Sequence, residues 1–444
     1  MNIVLHLQDL VRGTHILKTL AFCRKSQYWS REELDAYRLK KLQKLVHFAY
    51  ENVPYYHELF DSVNLLPSDI TSLNDINKIP ITTKEMARAN QKNMIARNIN
   101  LNSYKVKKGK TGGTTGMPLT LYKSTEARDF TYGAYYRWYD WMGITPTDRE
   151  VRLWGDSTVL SSKKSIVKLL QNTISKSLDI SSFALNEKTL PSVAQRIIDY
   201  KPVVMRGYLS AVIQLAKFFK ENKLVIPTLK AINTTTETLL PIYRTLIEDT
   251  FGVKVFDQYG CGECTGIAFE CNEHNGMHVN EEHCFLQILD SKDCESHEGR
   301  IIVTDFDNFA MPFIRYENGD CGIWFDEKCS CGIEHRLLKS VEGRSADVVY
   351  LKDGSAVHGV FFTDVFYELG LTDFKYFTRF QIYQEVKGSF ICRLERTKNV
   401  LSEEKLLEIQ TTLARFGKDV KIEILDKLEN DRSGKFRYVI SNIK

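Results

Sequence analysis

The sequence has no long apolar run and little excess of charge. Its opening segment, residues 1–25, is apolar only in short bursts that His6, Asp9 and Arg12 interrupt. No run approaches the roughly 20 residues that a membrane-spanning helix needs, and no secretion-signal core is recognisable. A net charge of +4 over 444 residues gives no basis for nucleic-acid binding. These absences predict a cytoplasmic protein with no transmembrane span and no nucleic-acid partner.

The overall composition is that of an ordinary globular protein. Hydrophobic residues make up 43% and charged residues 26% of a chain long enough for two or three domains. The opening segment is typical of an amphipathic helix that docks on the rest of the protein, and a membrane-surface helix is the alternative. The sequence does not decide between a monomer and a homodimer.

Cysteine is concentrated in one region of the chain. Eight of the ten cysteines lie within about 70 residues, between Cys261 and Cys331. Without a secretion signal, this crowding favours metal or redox chemistry over disulfides. The segments "ECNEHNGMH" and "KCSCG" supply three thiolates and an imidazole, the donor set of a closed structural Zn²⁺ site: Cys271, His278, Cys329 and Cys331.

That zinc site has alternatives in the same region. The four side chains could instead be buried free thiols with a neighbouring histidine. Within the zinc interpretation, Cys264 or His274 could replace one of the four ligands.

Helical and strand patterns alternate through the middle of the chain. The segments "KPVVMRGY", "LKAINTTT" and "VKVFDQYG" read as strands, and "SAVIQLAKFFKENK" and "LLPIYRTLIEDTFG" read as helices between them. The alternation predicts an α/β domain with mixed sheets and crossover helices. Upstream, "SREE" at Ser30 has the pattern of a capping box at the start of a helix that "NVPYY" ends.

A second, smaller unit follows "EGRSADVVYLKDG". A strand pair around Tyr376 to Arg393, a helix from Ser402 to Phe416 and the strand "DVKIEIL" give a β-β-α-β order. The sequence therefore predicts a large N-terminal domain over residues 1–342 and a small α+β C-terminal domain over residues 343–444.

The stretch "KKGKTGGTTGMP" crowds glycine and threonine after several lysines. Glycines let the backbone N–H groups turn inward, and threonine hydroxyls add donors, so the loop can surround phosphate groups. It is not a Walker loop, because Tyr104 stands where that motif needs glycine. A plain surface loop is the alternative.

Further candidates follow predicted strands or lie in turns. Glu237 comes after one strand, and Tyr259 and Glu263 come after another. A tyrosine can lie against a purine, and a glutamate can hold Mg²⁺. Three further motifs, "IRYENGDCG", "EGRSADVV" and "NDRSGKFRYVI", present Asp320, Arg344 and Lys435. Taken singly, each motif has an ordinary structural explanation as a turn, a cap or an exposed charge.

In their order along the chain, these motifs resemble those of the adenylate-forming superfamily, which includes acyl-CoA synthetases, adenylation domains and luciferases. The segment "KLVHFAYENVPYYHELF", the loop "TGGTTGMP" and the cysteine-bearing insert are similar to the phenylacetate–CoA ligase-like branch, and within it to CapK-type capsular polysaccharide biosynthesis proteins. The resemblance covers essentially the whole chain.

The resemblance implies a two-step reaction in the cytoplasm. ATP activates a small carboxylic or amino acid as an acyl-adenylate with release of pyrophosphate. The acyl group then passes to the thiol of coenzyme A or to an amine or hydroxyl of a sugar-linked acceptor. The small C-terminal domain is expected to rotate between the two steps. A non-catalytic nucleotide-binding or scaffold protein with the same fold is the alternative function.

The resemblance also implies roles for individual residues. Glu237 and Tyr259 would flank the adenine, Glu263 would bind Mg²⁺, and Asp320 would hold the ribose. Lys435 would be catalytic at the α-phosphate, and Arg344 would begin the hinge. The phosphate loop would act through Thr111, Gly113, Thr114, Thr115 and Gly116.

Three departures from the family pattern lie near these residues. Gly112 and Met117 stand where the family has serine and lysine, so phosphate binding would rest more on the threonines or on Lys108 and Lys110. Gly262 precedes the metal-binding glutamate where threonine is usual, and Ala346 replaces an aspartate of the hinge.

The substrate pocket is the least specific prediction. Arg206 and Tyr208 in "VMRGYLS" resemble a pocket-lining turn of the family, and Arg206 could meet a carboxylate or a second acidic group on the substrate. The aromatic run "YGAYYRWYDWMG" either lines this pocket or belongs to the core.

Overall fold

The structure is a computed structural model of the chain. It describes residues 5–6, 9–10, 13–103, 105–110, 119–154, 176–344, 348–354, 356–358, 361–362, 365–366, 369, 371, 376–397, 401–429 and 436–443. The predicted phosphate loop and Lys435 lie outside the described residues, and so does the side chain of Arg344.

Among the described residues, the N-terminal part contains the α-helices α1 Ile16–Ser26, α2 Arg31–Asn52, α3 Pro54–Asp61 and α4 Lys84–Ala89. The predicted capping box is present at α2, where Ser30 Oγ accepts from the Glu33 backbone N–H and the Glu33 carboxylate accepts from the Ser30 N–H. Pro54 follows the end of α2 and begins α3, a position where its missing N–H has no helical partner to lose.

Helix α1 packs against α5, Thr125–Trp141. Arg24 Nε donates to Asp140 Oδ2 at 2.7 Å across this contact. A Cβ at Gly133 would lie 2.8 Å from Thr19 Cγ2, so glycine permits the close approach of the two helices. These contacts favour the docked interpretation of the N-terminal segment. Within the described ranges, no helix combines the length and apolar character of a membrane span.

A mixed sheet of 11 strands forms the centre of the large domain, in the order β10-β11-β12-β13-β9-β8-β7-β6-β5-β3-β4. Its parallel half consists of β3 Glu150–Trp154, β4 Ser177–Ser181, β5 Val204–Tyr208, β6 Ala231–Thr235 and β7 Lys254–Tyr259. The crossover helices are α6 Leu190–Tyr200, α7 Leu209–Glu221 and α8 Pro241–Phe251. The predicted α/β alternation is confirmed here.

The other half of the sheet is antiparallel. Its strands are β8 Ala268–Glu270, β9 Met277–Val279, β10 Cys284–Leu289, β11 Glu298–Asp305, β12 Tyr316–Phe325 and β13 Leu337–Arg344. A separate hairpin pairs β1 Val106–Lys110 with β2 Thr120–Ser124, on either side of the predicted phosphate loop.

The two faces of the parallel half carry different helices. Met205, Ile232 and Val255 face α6, α7 and α8 in one apolar cluster. The residues next to them in sequence face the other way, and Val204, Ala231 and Phe256 pack with Ala134 and Trp138 of α5. Trp138 is fully buried, so part of the predicted aromatic run belongs to the core.

The C-terminal unit has its own apolar core. Its elements are β14 Val348–Tyr350, β15 Ala356–His358, β16 Phe377–Val386, β17 Ser389–Arg396, α9 Glu403–Ala414, β18 Asp419–Leu425 and β19 Val439–Ser441. Four of the strands form a sheet in the order β18-β17-β16-β19. The predicted strand pair, the Ser402-capped helix and the strand "DVKIEIL" are present, and β19 was not predicted. Strand β13 of the large sheet runs to Arg344, two residues past the predicted domain boundary.

Candidate active site and metal centre

Strand β12 presents alternating polar side chains to the end of β7. Tyr259 Oη donates to Asp320 Oδ2 at 2.8 Å, and Asn318 Nδ2 donates to Tyr259 Oη at 2.5 Å. Residues 316, 318 and 320 share one face of β12, because side chains alternate along a strand. The predicted adenine-binding tyrosine and ribose-binding aspartate are therefore in direct contact.

Glu263 lies against the same face of β12. It is 4% exposed in the turn between β7 and β8, and Tyr316 Oη donates to its Oε1 at 2.7 Å. No donor among the described residues bonds its other oxygen, Oε2. A carboxylate with one oxygen anchored and one available fits the oxygen-ligand chemistry of Mg²⁺.

Glu237 is held at the carboxyl end of β6. Ser210 Oγ, in the first turn of α7, donates to Glu237 Oε1 at 2.8 Å. The preceding residue, Thr236, has φ +77°, a left-handed conformation that a β-branched residue rarely adopts. Strained residues of this kind concentrate at functional sites.

Arg206 and Tyr208 meet two aromatic side chains at the end of β5. The Arg206 guanidinium carbon lies 4.1 Å from the centre of the Tyr135 ring and 5.2 Å from that of Trp154. The rings of Tyr208 and Trp154 are 5.3 Å apart. Tyr135 is partly exposed, whereas Trp138 one turn later is core. The aromatic run therefore supplies both a core residue and a residue of this pocket.

The four predicted zinc ligands converge in a buried cluster. Their ligand atoms all lie within 4.8 Å of one another. Cys271 Sγ is 3.6 Å from Cys329 Sγ, and Cys331 Sγ is 3.2 Å from His278 Nε2. His278 Nδ1 lies 3.3 Å from the backbone oxygen of His335. Nδ1–H donation to this oxygen leaves Nε2 to face the thiols, and a hydrogen bond of this kind orients the ring of a metal-bound histidine.

The protonation of the cluster also fits a cation. Burial lowers the pKa of His278 to about 3, which keeps the imidazole in the neutral form that binds metal. Burial raises the pKa of Cys331 to about 11, so this thiol needs a metal to become a thiolate near neutral pH. Three thiols and a neutral imidazole fit tetrahedral Zn²⁺.

The two alternative ligands lie elsewhere. Cys264 belongs to a second buried group with His283 and Asp305. His274 lies 3.4 Å from the Glu270 carboxylate and packs against Phe256. The geometry therefore favours the four residues first predicted.

The C-terminal strand reaches the large domain near Glu237. Tyr438, three residues after Lys435, packs against Tyr243 of α8 with ring centres 6.0 Å apart. Burial raises the pKa of Tyr438 well above its ordinary value, and the charges of Tyr243 and Glu237 add to that rise.

Comparisons with known proteins agree with this architecture. Residues 349–442 match the family model of the CapK C-terminal domain. The phenylacetate–coenzyme A ligase of Thermus thermophilus is 25% identical over 340 residues, which cover 72% of this chain and 73% of the relative. These matches support the predicted resemblance to the phenylacetate–CoA ligase-like branch and to CapK-type proteins. The prediction of an AMP-forming, acid–CoA ligase-like enzyme is confirmed by these relatives.

Solved structures show the same fold. A 2-hydroxyisobutyryl-CoA ligase crystallised in the postadenylation state in complex with R3-HIB-AMP has a TM-score of 0.76 at 19% identity, and the match covers 94% of this chain and 93% of that one. The o-succinylbenzoate coenzyme A synthetase of Bacillus subtilis, in complex with ATP and magnesium, has a TM-score of 0.52 at 18% identity over 74% of this chain and 68% of that one.

Sequence reasoning about this ligase-like chain missed Tyr316 and Asn318, which hold Glu263 and Tyr259. The signal was present in "RYENGD", where polar residues alternate with the period of a strand up to Asp320. The sequence pattern predicts a turn at Asp320, whereas the structure places this residue within strand β12.

Proposed function

We propose that the chain uses ATP to activate a small carboxylic or amino acid as an acyl-adenylate and then transfers the acyl group to an acceptor. The observation that supports this most strongly is the meeting of Tyr259, Glu263 and Asp320 on one face of β12, although more than 50 residues separate Glu263 from Asp320. The likeness to phenylacetate–CoA ligases supports the same chemistry.

In the first step, a carboxylate oxygen of the acid attacks the α-phosphorus of ATP and pyrophosphate leaves. In the second step, the acceptor attacks the acyl carbon and AMP leaves. Asp320 would accept hydrogen bonds from the ribose hydroxyls, and Tyr259 would hold that carboxylate while its ring borders the adenine with Glu237. Glu263 would hold Mg²⁺ through Oε2, and the ion when bound neutralises charge on the phosphates.

The remaining residues of the first step are proposals from the sequence. The loop Thr111–Gly116 would donate backbone and hydroxyl hydrogens to the phosphates, and Lys435 would bring a positive charge to the α-phosphate. The contact between Tyr438 and Tyr243 supports the role of Lys435. Tyr438 lies three residues after Lys435, and this contact holds it close enough to Glu237 for the Glu237 charge to act on it. Arg206 and Tyr208 would bind the acid.

The proposal also extends to the acceptor of the acyl group and to the biological process. The acceptor would be the thiol of coenzyme A or an amine or hydroxyl of a sugar-linked intermediate. The match to the CapK C-terminal domain motivates a place in the assembly of a surface polysaccharide. The cluster of Cys271, His278, Cys329 and Cys331 would hold a structural zinc ion away from the chemistry.

The test is acid-dependent exchange of labelled pyrophosphate into ATP, measured over a panel of small carboxylic and amino acids. Exchange with at least one acid is expected, because the first step is reversible while the adenylate stays bound. Coenzyme A or hydroxylamine added afterwards identifies the class of acceptor by the product formed. The absence of exchange with every acid would favour a scaffold that has kept the fold.

A further inference from the structure

A second polar layer lies beneath α5, on the sheet face opposite α6, α7 and α8. The parallel register pairs Arg206 of β5 with Asn233 of β6, and Asn233 with Phe256 of β7. Gln258 is two residues beyond Phe256 and so faces the same side. Arg206 and Asn233 therefore lie side by side with Phe256 next to Asn233, and Gln258 lies two residues further toward the carboxyl end of β7 on the same face, beyond the apolar residues Val204 and Ala231.

Several polar atoms of these side chains have no partner among the described residues, although Arg206 bonds to Tyr135 and Tyr139, and Gln258 bonds to Tyr135. Asn233 is fully buried, and neither of its side-chain polar atoms forms a hydrogen bond with any described residue. The same holds for Gln258 Oε1 and Arg206 Nε within the described part of the chain. Buried amides are almost always bonded, because an unpaired polar group in the interior is costly. Their number here indicates a site that a polar ligand completes.

Arg206 forms no close ion pair with a carboxylate of the described residues, although the charges of Tyr135, Tyr139 and Glu150 act on it and raise its pKa. Its guanidinium lies between the Tyr135 and Trp154 rings and bonds to Tyr139, and no carboxylate of the described chain lies within ion-pair distance. Glu150, on neighbouring β3, accepts from Tyr139 Oη at 2.7 Å and lies 4.0 Å from Arg152 Nε. A partly buried cation without a close ion pair favours an anion as its partner.

The polar layer borders the proposed reaction centre. Thr131 lies one helical turn before Tyr135 on α5, and its hydroxyl is 3.0 Å from that of Thr265, two residues after Glu263. On the sheet side, Gln258 directly precedes Tyr259. The side chains of Arg206, Tyr135 and Trp154 are all partly exposed. The side chain of an acid activated at Glu263 would extend toward them.

We infer that the activated acid carries a second negatively charged group, which Arg206 binds with Asn233 and Gln258. This inference rests on the proposed function and narrows its substrate to small dicarboxylic acids and acids of the same charge pattern. The planar guanidinium can donate two parallel hydrogen bonds to a carboxylate, and the Asn233 amide adds a donor. A simple aliphatic or aryl acid would leave the Asn233 amide, Arg206 Nε and Gln258 Oε1 without partners.

The test compares acids of equal chain length that differ only in the second carboxylate. Pyrophosphate exchange is measured for butyrate against succinate and for pentanoate against glutarate, with phenylacetate as the aryl probe. The diacids are expected to have the higher kcat/KM in the wild-type chain. Exchange that prefers butyrate, pentanoate or phenylacetate would overturn the inference and leave the proposed function standing.

The variants Arg206→Met and Asn233→Asp test whether these residues bind the second carboxylate or only stabilise the fold. Arg206→Met removes the charge at similar length, and Asn233→Asp supplies a protein carboxylate beside Arg206. Each variant should lower kcat/KM for the diacids by about 10- to 100-fold, the range for a hydrogen-bonded charged group, and change that for the monoacids less than about twofold. Arg196→Met, on an exposed turn of α6, is the matched control. An equal loss for both acid classes would show a structural role and contradict the inference.

If no acid supports exchange, the proposed function fails and equilibrium binding decides the inference. Calorimetric titration of the full chain with succinate and glutarate should show saturable binding that Arg206→Met abolishes. No binding, or binding that Arg206→Met leaves unchanged, would overturn it.

Discussion

Tyr259 Oη donates a 2.8 Å hydrogen bond to Asp320 Oδ2, and this bond joins the last residue of β7 to the middle of β12. Burial raises the pKa of Tyr259 well above its ordinary value, and the charge of Asp320 raises it further. The phenol therefore stays protonated and remains a donor throughout the neutral range. Its hydrogen bond orients the carboxylate that we assign to the ribose.

The Tyr259→Phe variant tests that orientation. It keeps the ring but loses the hydrogen bond, so the KM for ATP in pyrophosphate exchange should rise by about 5- to 30-fold. Tyr50→Phe is the matched control, because Tyr50 Oη donates to Asp61 Oδ1 at 3.0 Å on the exposed surface. An unchanged KM for ATP in Tyr259→Phe would contradict the role given to the pair.

Lys435→Ala should slow formation of the acyl-adenylate by about 100- to 1,000-fold, since it removes a positive charge from the proposed transition state. The fold should persist, with an unchanged melting temperature. Lys427→Ala is the control, because Lys427 is an exposed lysine of the same domain that pairs with Glu429 at 3.2 Å. Equal rates of pyrophosphate exchange in the Lys435→Ala and Lys427→Ala variants would contradict the role proposed for Lys435.

Metal analysis of the purified chain should find zinc bound at the cluster of Cys271, His278, Cys329 and Cys331. The double variant Cys329→Ser with Cys331→Ser should lose that zinc and unfold at a lower temperature, because structural zinc contributes to folding free energy. Zinc should persist in Cys264→Ser, which alters the other buried group, and in Cys294→Ser, which alters an exposed thiol. Zinc retained in the double variant would refute the assignment.

The raised pKa of Asp257 predicts that the free energy of unfolding depends on pH. Burial raises its pKa to about 7, and the neighbouring charge of Glu270 adds to the rise. Between about pH 4 and 7 the unfolded chain therefore releases a proton that the folded chain keeps, so this group's contribution to the free energy of unfolding falls as pH rises. Above pH 7 the ionised, buried carboxylate destabilises the fold by about 2–4 kcal/mol.

Asp257→Asn should remove that penalty, since the amide oxygen can still accept the Thr234 Oγ1 hydrogen bond of 2.8 Å. Urea unfolding should show the variant more stable than the wild type at about pH 8, with the advantage shrinking toward about pH 4.5. A difference between the two proteins that is the same at both pH values would refute the raised pKa.

The sequence predicted those parts of the fold that depend on local periodicity. The strands β5, β6 and β7 and the helices α7 and α8 carry apolar residues with the period of their own element, and all five are present. The cluster of Cys271, His278, Cys329 and Cys331 could be predicted because three thiols and an imidazole in such spacing match the donor set of a zinc site. In the structure their ligand atoms lie within 4.8 Å of one another, as the spacing of the residues predicts.

Features that depend on strand register could not be predicted. The sequence places Arg206 and Asn233 27 residues apart, and only the parallel pairing of β5 with β6 makes them neighbours. Tyr316 meets Glu263 although β13, β9 and β8 lie between β12 and β7 in the sheet, and the sequence does not show that contact. A single sequence contains the polar residues of a site but not their pairing.

The central claim is acyl-adenylate formation, and oxygen transfer tests it most directly. An acid that supports exchange is labelled with ¹⁸O in its carboxylate and incubated with ATP, Mg²⁺ and hydroxylamine. If that carboxylate attacks the α-phosphorus, one labelled oxygen must leave with AMP, and mass spectrometry should find AMP carrying one ¹⁸O. Unlabelled AMP, or ADP as the product, would contradict the account.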